Sequence, residues 1–127
     1  MQRSSANPST ENERRLAEID ALIRNGRDDI DAQIERANLL NLLDRQTESL
    51  DLFIEIVKRS PTNFRVLNEF GNLLSSMGYV AAACRVYTEA IKQHPENPIG
   101  HVNLANLLLQ GGSLEEAKKA LRKCASS

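Results

Sequence analysis

The chain has 127 residues, with sixteen Lys and Arg against seventeen Asp and Glu, a net charge of −1, two Cys and no Trp. Its length suits one domain with a core of its own. The near-even charge offers no positive field to a phosphate backbone, and no apolar run reaches the roughly eighteen residues of a membrane span, so neither nucleic acid nor membrane is an expected partner.

The opening MQRSSANPST holds one Arg among Ser, Asn and Pro and has no apolar stretch, which marks residues 1–9 as a disordered tail rather than a signal peptide. A domain is expected over 10–127. Apolar residues there recur at spacings of three and four and nowhere alternate with period two, so the fold class is all-α. Thr10 and Glu13 fit a capping box that opens a helix over 10–25, with Leu16, Ile19, Leu22 and Ile23 on one face and Asn25-Gly26 closing it. Further breaks fall at Asp44-Arg45, Ser60 to Asn63, Met77-Gly78, His94 to Pro98 and Gly111-Gly112. They leave segments of about 11 to 16 residues, which makes about seven helices. Asn97 before Pro98 reads as an N-cap with proline at the first helical position, and Ser113 with Glu116 reads as a second capping box. The last helix, 113–125, carries one apolar stripe of Leu114, Ala117, Leu121 and Cys124.

Segments beginning at Ile30, Phe64 and Pro98 repeat with a period of 34 residues. In that register small residues coincide (Ala37, Gly71, Ala105; Ser49, Ala83, Ala117), and so do large apolar ones (Leu40, Leu74, Leu108; Phe53, Tyr87, Leu121). Pro61 and Pro95 end two units. A fixed period of this size signals stacked supersecondary units, here repeats over 30–63, 64–97 and an incomplete 98–127. A small residue on the first helix of each hairpin lets the second approach, and the large residue four positions beyond the second small one fills the remaining space.

The middle unit, through Leu67, Phe70, Gly71, Leu74, Gly78, Ala83, Tyr87, Ala90 and Pro95, resembles the tetratricopeptide repeat at nearly every signature place. The third unit is similar at Leu104, Ala105, Leu108, Gly112, Ala117 and Leu121. The first departs at Gln33, Arg36 and Ile56 while holding Ala37, Leu40, Ser49, Phe53 and Pro61. The resemblance implies a right-handed α-solenoid of antiparallel hairpins behind an N-terminal capping helix, and a protein or peptide partner.

It further implies that the first helices line a concave groove, with the residue after the small packing residue pointing into it. Those places are Asn38, Asn72 and Asn106, and such a row resembles the asparagine ladders of O-GlcNAc transferase and its relatives. A carboxamide both donates and accepts, so a row of them can hold the backbone of an extended segment. Neighbours implied on the same faces include Ile34, Arg65, Asn68, Val102 and Leu109, with Asp31, Glu35, Asn41, Glu69, Ser75, Ile99 and Asn103 beside them. The places where some relatives clamp a C-terminal carboxylate with cations carry Ile34, Asn68 and Val102, and Arg65 alone cannot replace several charge-assisted bonds.

No residue set points to catalysis, a cofactor or a metal. His94 stands at a helix end and His101 at a packing place, Gly111-Gly112 lacks the lysine of a phosphate loop, and Asp28-Asp29 and Glu115-Glu116 suit helix starts. Cys84 and Cys124 lie forty residues apart, which suits neither a CxxC site nor a disulfide framework, and are expected as two small buried thiols. The expectation is a cytoplasmic adaptor that binds a segment in its groove. Two alternatives stay open: a structural unit that self-associates, giving a homodimer, and the recognition part of a larger enzyme such as a transferase.

Overall fold

The fold is described from a computed structural model, in which residues 8–110 are placed, with side chains described from residue 11 onward. The described residues form six helices and no strand: α1 (Pro8–Arg24), α2 (Ile30–Leu42), α3 (Gln46–Arg59), α4 (Phe64–Ser76), α5 (Val80–Gln93) and α6 (Pro98–Gln110). The seventh expected helix, 113–125, with its capping box and apolar stripe, lies outside them. The chain divides into two compact units, Met1–Arg59 and Ser60–Ser127.

The 34-residue period reappears in the helix starts. Asp29 caps α2 by accepting from the Ala32 amide at 2.8 Å, and Asn63 caps α4 by accepting from Val66 at 3.1 Å. Asn97 precedes α6 and accepts from Ile99 at 3.0 Å. Each side-chain oxygen satisfies an amide that the first helical turn leaves without a partner. The hairpin turns follow the same period, since Asp44 (φ 63°) and Gly78 (φ 85°) both adopt the left-handed conformation after α2 and α4. α1 starts at Pro8, a residue suited to the first helical position. Thr10 is therefore inside the first turn and not at the cap expected for it.

In the first unit α1 packs on α2 and α2 on α3. Leu16 and Ile19 of α1 meet Leu39 and Leu40 of α2, with Ile23, Leu43 and Leu52 around them, while Leu22 stays exposed. Two ion pairs flank this apolar contact: Arg36 to Asp20 at 2.6 Å and Arg15 to Glu35 at 2.6 Å. Arg36, which departs from the repeat pattern, thus serves the capping helix. Between α2 and α3 the buried Ser49 hydroxyl donates to the Ala37 carbonyl at 2.7 Å, so both small residues allow the approach and the hydroxyl is satisfied.

In the second unit α4 packs on α5, and α6 contacts both. Gly71 meets the Tyr87 ring so closely that a β-carbon on it would stand 2.7 Å from Tyr87 Cδ1. Gly100 similarly admits α6, since a β-carbon there would lie 3.2 Å from Ile91 Cγ1 and 3.6 Å from Phe64 Cε1. Ala105 is exposed, unlike its counterparts Ala37 and Gly71; the helix expected to cover it lies outside the described residues. Cys84 is fully buried but is disulfide-bonded, which corrects the expectation of a buried thiol there, and Cys124 falls outside the described residues.

Candidate functional site

The first helices of the second unit, α4 and α6, border a cavity of about 310 Å³ lined by Asn72, Ser75, Ser76, Tyr87, Asn103, Asn106, Leu107 and Gln110. On α4 the lining positions 72, 75 and 76 share a face by their spacing of three and four, and on α6 positions 103, 106, 107 and 110 do the same. α5 supplies the back wall through Tyr87. Its ring is held by Gly71, and its hydroxyl donates to Asn72 Oδ1 at 2.5 Å. Burial and the nearby Glu69 carboxylate push the Tyr87 phenol up to about 12, so it stays protonated. Beside the cavity, Asn103 Nδ2 donates to Asn68 Oδ1 and ties α6 to α4.

Among the described residues, those that line the cavity are uncharged, and together they present carboxamides and hydroxyls with one apolar side chain. Such a wall can exchange hydrogen bonds with neutral polar groups. Among the described residues it holds no nucleophile paired with a base. The two histidines are occupied elsewhere: His94 Nε2 donates to the Thr62 carbonyl at 2.7 Å with its ring edge-on to Phe64, and His101 Nε2 lies 3.3 Å from the Pro95 carbonyl. Among the described residues no three His, Cys, Asp or Glu side chains gather as a metal site, and no helix is long and apolar enough to cross a membrane.

The 34-residue period of caps, turns and small-residue contacts has a counterpart in known sequences, for residues 74–123 match the tetratricopeptide repeat family. The chain carries tetratricopeptide repeats. Solved structures of MamA share the tetratricopeptide fold seen here. MamA MSR-1 superposes with a TM-score of 0.66 at 21% identity, over 91% of this chain and 67% of its own. A double mutant of MamA RS-1 gives 0.69 at 14% identity, over 91% and 65%, and MamA AMB-1 gives 0.64 at 19%, over 90% and 62%. Likeness at these identities reports the fold alone. The chain spans about two thirds of the length of those structures. No curated protein matches its sequence.

The tetratricopeptide register placed the site residues unevenly. Asn72 and Asn106 come together in the cavity, whereas Asn38 belongs to the first unit, where it is half-buried. Ile34 is fully buried and belongs to the core, so it is not available to a ligand. Arg65, Val102 and Leu109 are exposed outside the cavity lining, and Asn68 acts through Asn103. Sequence reading missed Ser76, Leu107 and Gln110, which follow Asn72, Asn103 and Asn106 at helical spacing. It also took Tyr87 for packing alone. The signal for its second role is that a buried phenol must find a partner, and the next residue after Gly71 is Asn72.

Proposed function

We propose that the protein is a non-catalytic adaptor that binds a segment of another protein along α4 and α6. The repeat fold supports a protein-interaction or scaffold role at the level of class. The observation that carries the finer reading is the cavity, in which Asn72, Asn103 and Asn106 from two consecutive first helices share one uncharged polar wall. Next to that wall on α6 stand Ile99, Val102 and Leu109, 50%, 53% and 74% exposed. At 100° per residue they fall within an arc of about 80° that also contains Asn106. A ligand segment with a neutral polar group for the cavity and apolar side chains for this stripe fits both.

The test is selection of a binding peptide from a random displayed library, followed by affinity measurement with the synthetic peptide. Replacing Asn72 and Asn106 together by Ala is expected to weaken binding at least fivefold while helical circular dichroism is kept, because each lost hydrogen bond contributes about 0.5–1.5 kcal/mol. Unchanged affinity in that double variant would sink the reading. A second reading rests on the same stripe: three large apolar residues exposed on one face are a patch that a second copy of the chain could cover.

A further inference from the structure

Ile99, Val102, Asn106 and Leu109 are all exposed on α6, and they stand three, four and three residues apart. That is the a/d spacing of a heptad, which keeps a seam along one side of a helix. The repeat does not demand it. The corresponding places are Asp31, Ile34, Asn38 and Asn41 on α2 and Arg65, Asn68, Asn72 and Ser75 on α4, where Ile34 alone is apolar and is buried in the core. Asn106 differs from its counterpart on α4 as well. Among the described residues no group bonds its carboxamide, whereas that of Asn72 accepts from Tyr87.

We infer that α6 is the contact helix of a dimer, packed parallel and in register against α6 of a second copy about a twofold axis, with Asn106 paired to its own counterpart. The inference rests on the second reading above, that a second copy covers the stripe, and it names the helix, the register and the orientation. Charge selects the occupant first. α6 carries no Asp, Glu, Lys or Arg, so two copies meet no like-charge repulsion along it, and a charged partner finds nothing there to pair with. The seam asparagine selects next. A carboxamide buried at an a place against an apolar side chain loses its hydrogen bonds, whereas a twofold axis sets an identical donor and acceptor opposite it, which is how one such Asn fixes the register of a two-stranded pair. An antiparallel pair would set Asn106 against Val102 instead. Length limits the strength of the contact. α6 spans 13 residues, and a seam of four side chains falls short of the roughly 1,200 Å² that a standard interface buries, so the dimer is a weak one, with a Kd of roughly 10 μM to 1 mM.

Sedimentation equilibrium of the whole chain from about 10 μM to about 1 mM is expected to show reversible passage from monomer to dimer. In N106L an apolar pair replaces the polar one at the a place, so the dissociation constant should fall by at least about fivefold; in N106K two ammonium groups meet there, and the dimer should be lost. Circular dichroism should be unchanged in both variants, because residue 106 is exposed in the single chain. In an equal mixture of isotope-labelled and unlabelled chain, isotope-filtered NMR is expected to show contacts from the Leu109 methyls of one copy to those of the other, and from Ile99 to Ile99. Contacts between Leu109 of one copy and Ile99 of the other would mark an antiparallel pair and overturn the inference. Weaker association of N106L than of the native chain would overturn it too. A dimer that survives in N106K would overturn the α6 seam while leaving self-association standing through another surface. A single-chain mass at every concentration would reject the inference and the second reading together.

Discussion

Tyr87 serves two neighbours at once, its ring filling the space that Gly71 leaves and its hydroxyl reaching Asn72. The ring is almost wholly buried, so it has little room to retreat from a new methyl group. G71A is therefore expected to destabilise the fold by about 1–3 kcal/mol, read as a fall in the thermal midpoint. The phenol adds a pH dependence whose sign follows from its displacement from 10.0 to about 12. Below pH 10 both states keep the proton and the term is constant; between 10 and 12 the unfolded chain ionises first, so stability falls as pH rises, by roughly 1.4 kcal/mol per unit. In Y87F that extra loss should be absent from the alkaline unfolding curve. At Asp44, φ is 63°, where Gly78 stands one period later. D44G should stabilise by up to about 1 kcal/mol through relief of the left-handed conformation, and a lowered midpoint would contradict this. Single residues were legible in the sequence where the repeat demands a size, as at Gly71 and Ala37. They were not where the outcome depends on surroundings: Ile34, Asn68 and Val102 share one repeat position, yet the first is fully buried, the second bonds to Asn103 and the third is half exposed.

At the scale of elements, the attachment of α1 to α2 separates two kinds of contact. The apolar group of Leu16, Ile19, Leu39 and Leu40 is buried, while the Arg36–Asp20 pair has about a third of each side chain exposed. Water at the pair screens it, so R36A should cost no more than about 1 kcal/mol and less at high salt. Truncation of Ile19 removes methyl groups from a packed site and should cost about 2–5 kcal/mol. Denaturant titrations of R36A and I19A test the ranking, and a larger loss in R36A would reverse it. The apolar face of α1 could be read from spacing alone, whereas the Asp20 to Arg36 pairing depends on the register between two helices that periodicity within either one does not specify. The same distinction applies to the caps, since Asp29, Asn63 and Asn97 are local and 34 residues apart, while the Asn103 to Asn68 contact is made across helices.

For the whole molecule, the question is what covers Ile99, Val102 and Leu109. The stripe adjoins Asn106 on α6, so anything that covers it, whether a ligand segment or a second copy, approaches the cavity mouth as well. The two occupants should then compete. Light scattering on the free chain across a wide concentration range shows whether copies associate; a monomer mass of 14.1 kDa throughout would end the second reading. If the mass rises, saturating peptide is expected to return it to that of one chain plus one peptide, and V102D should both abolish association and weaken peptide binding at least fivefold. An oligomer that persists with peptide bound would put the self-contact elsewhere on the molecule. V102D with undiminished peptide affinity would detach the stripe from the binding face and confine recognition to the polar cavity. The stripe is well placed to discriminate, because Val102 lies outside the cavity lining and half exposed, so an Asp there stays solvated and the fold should tolerate it.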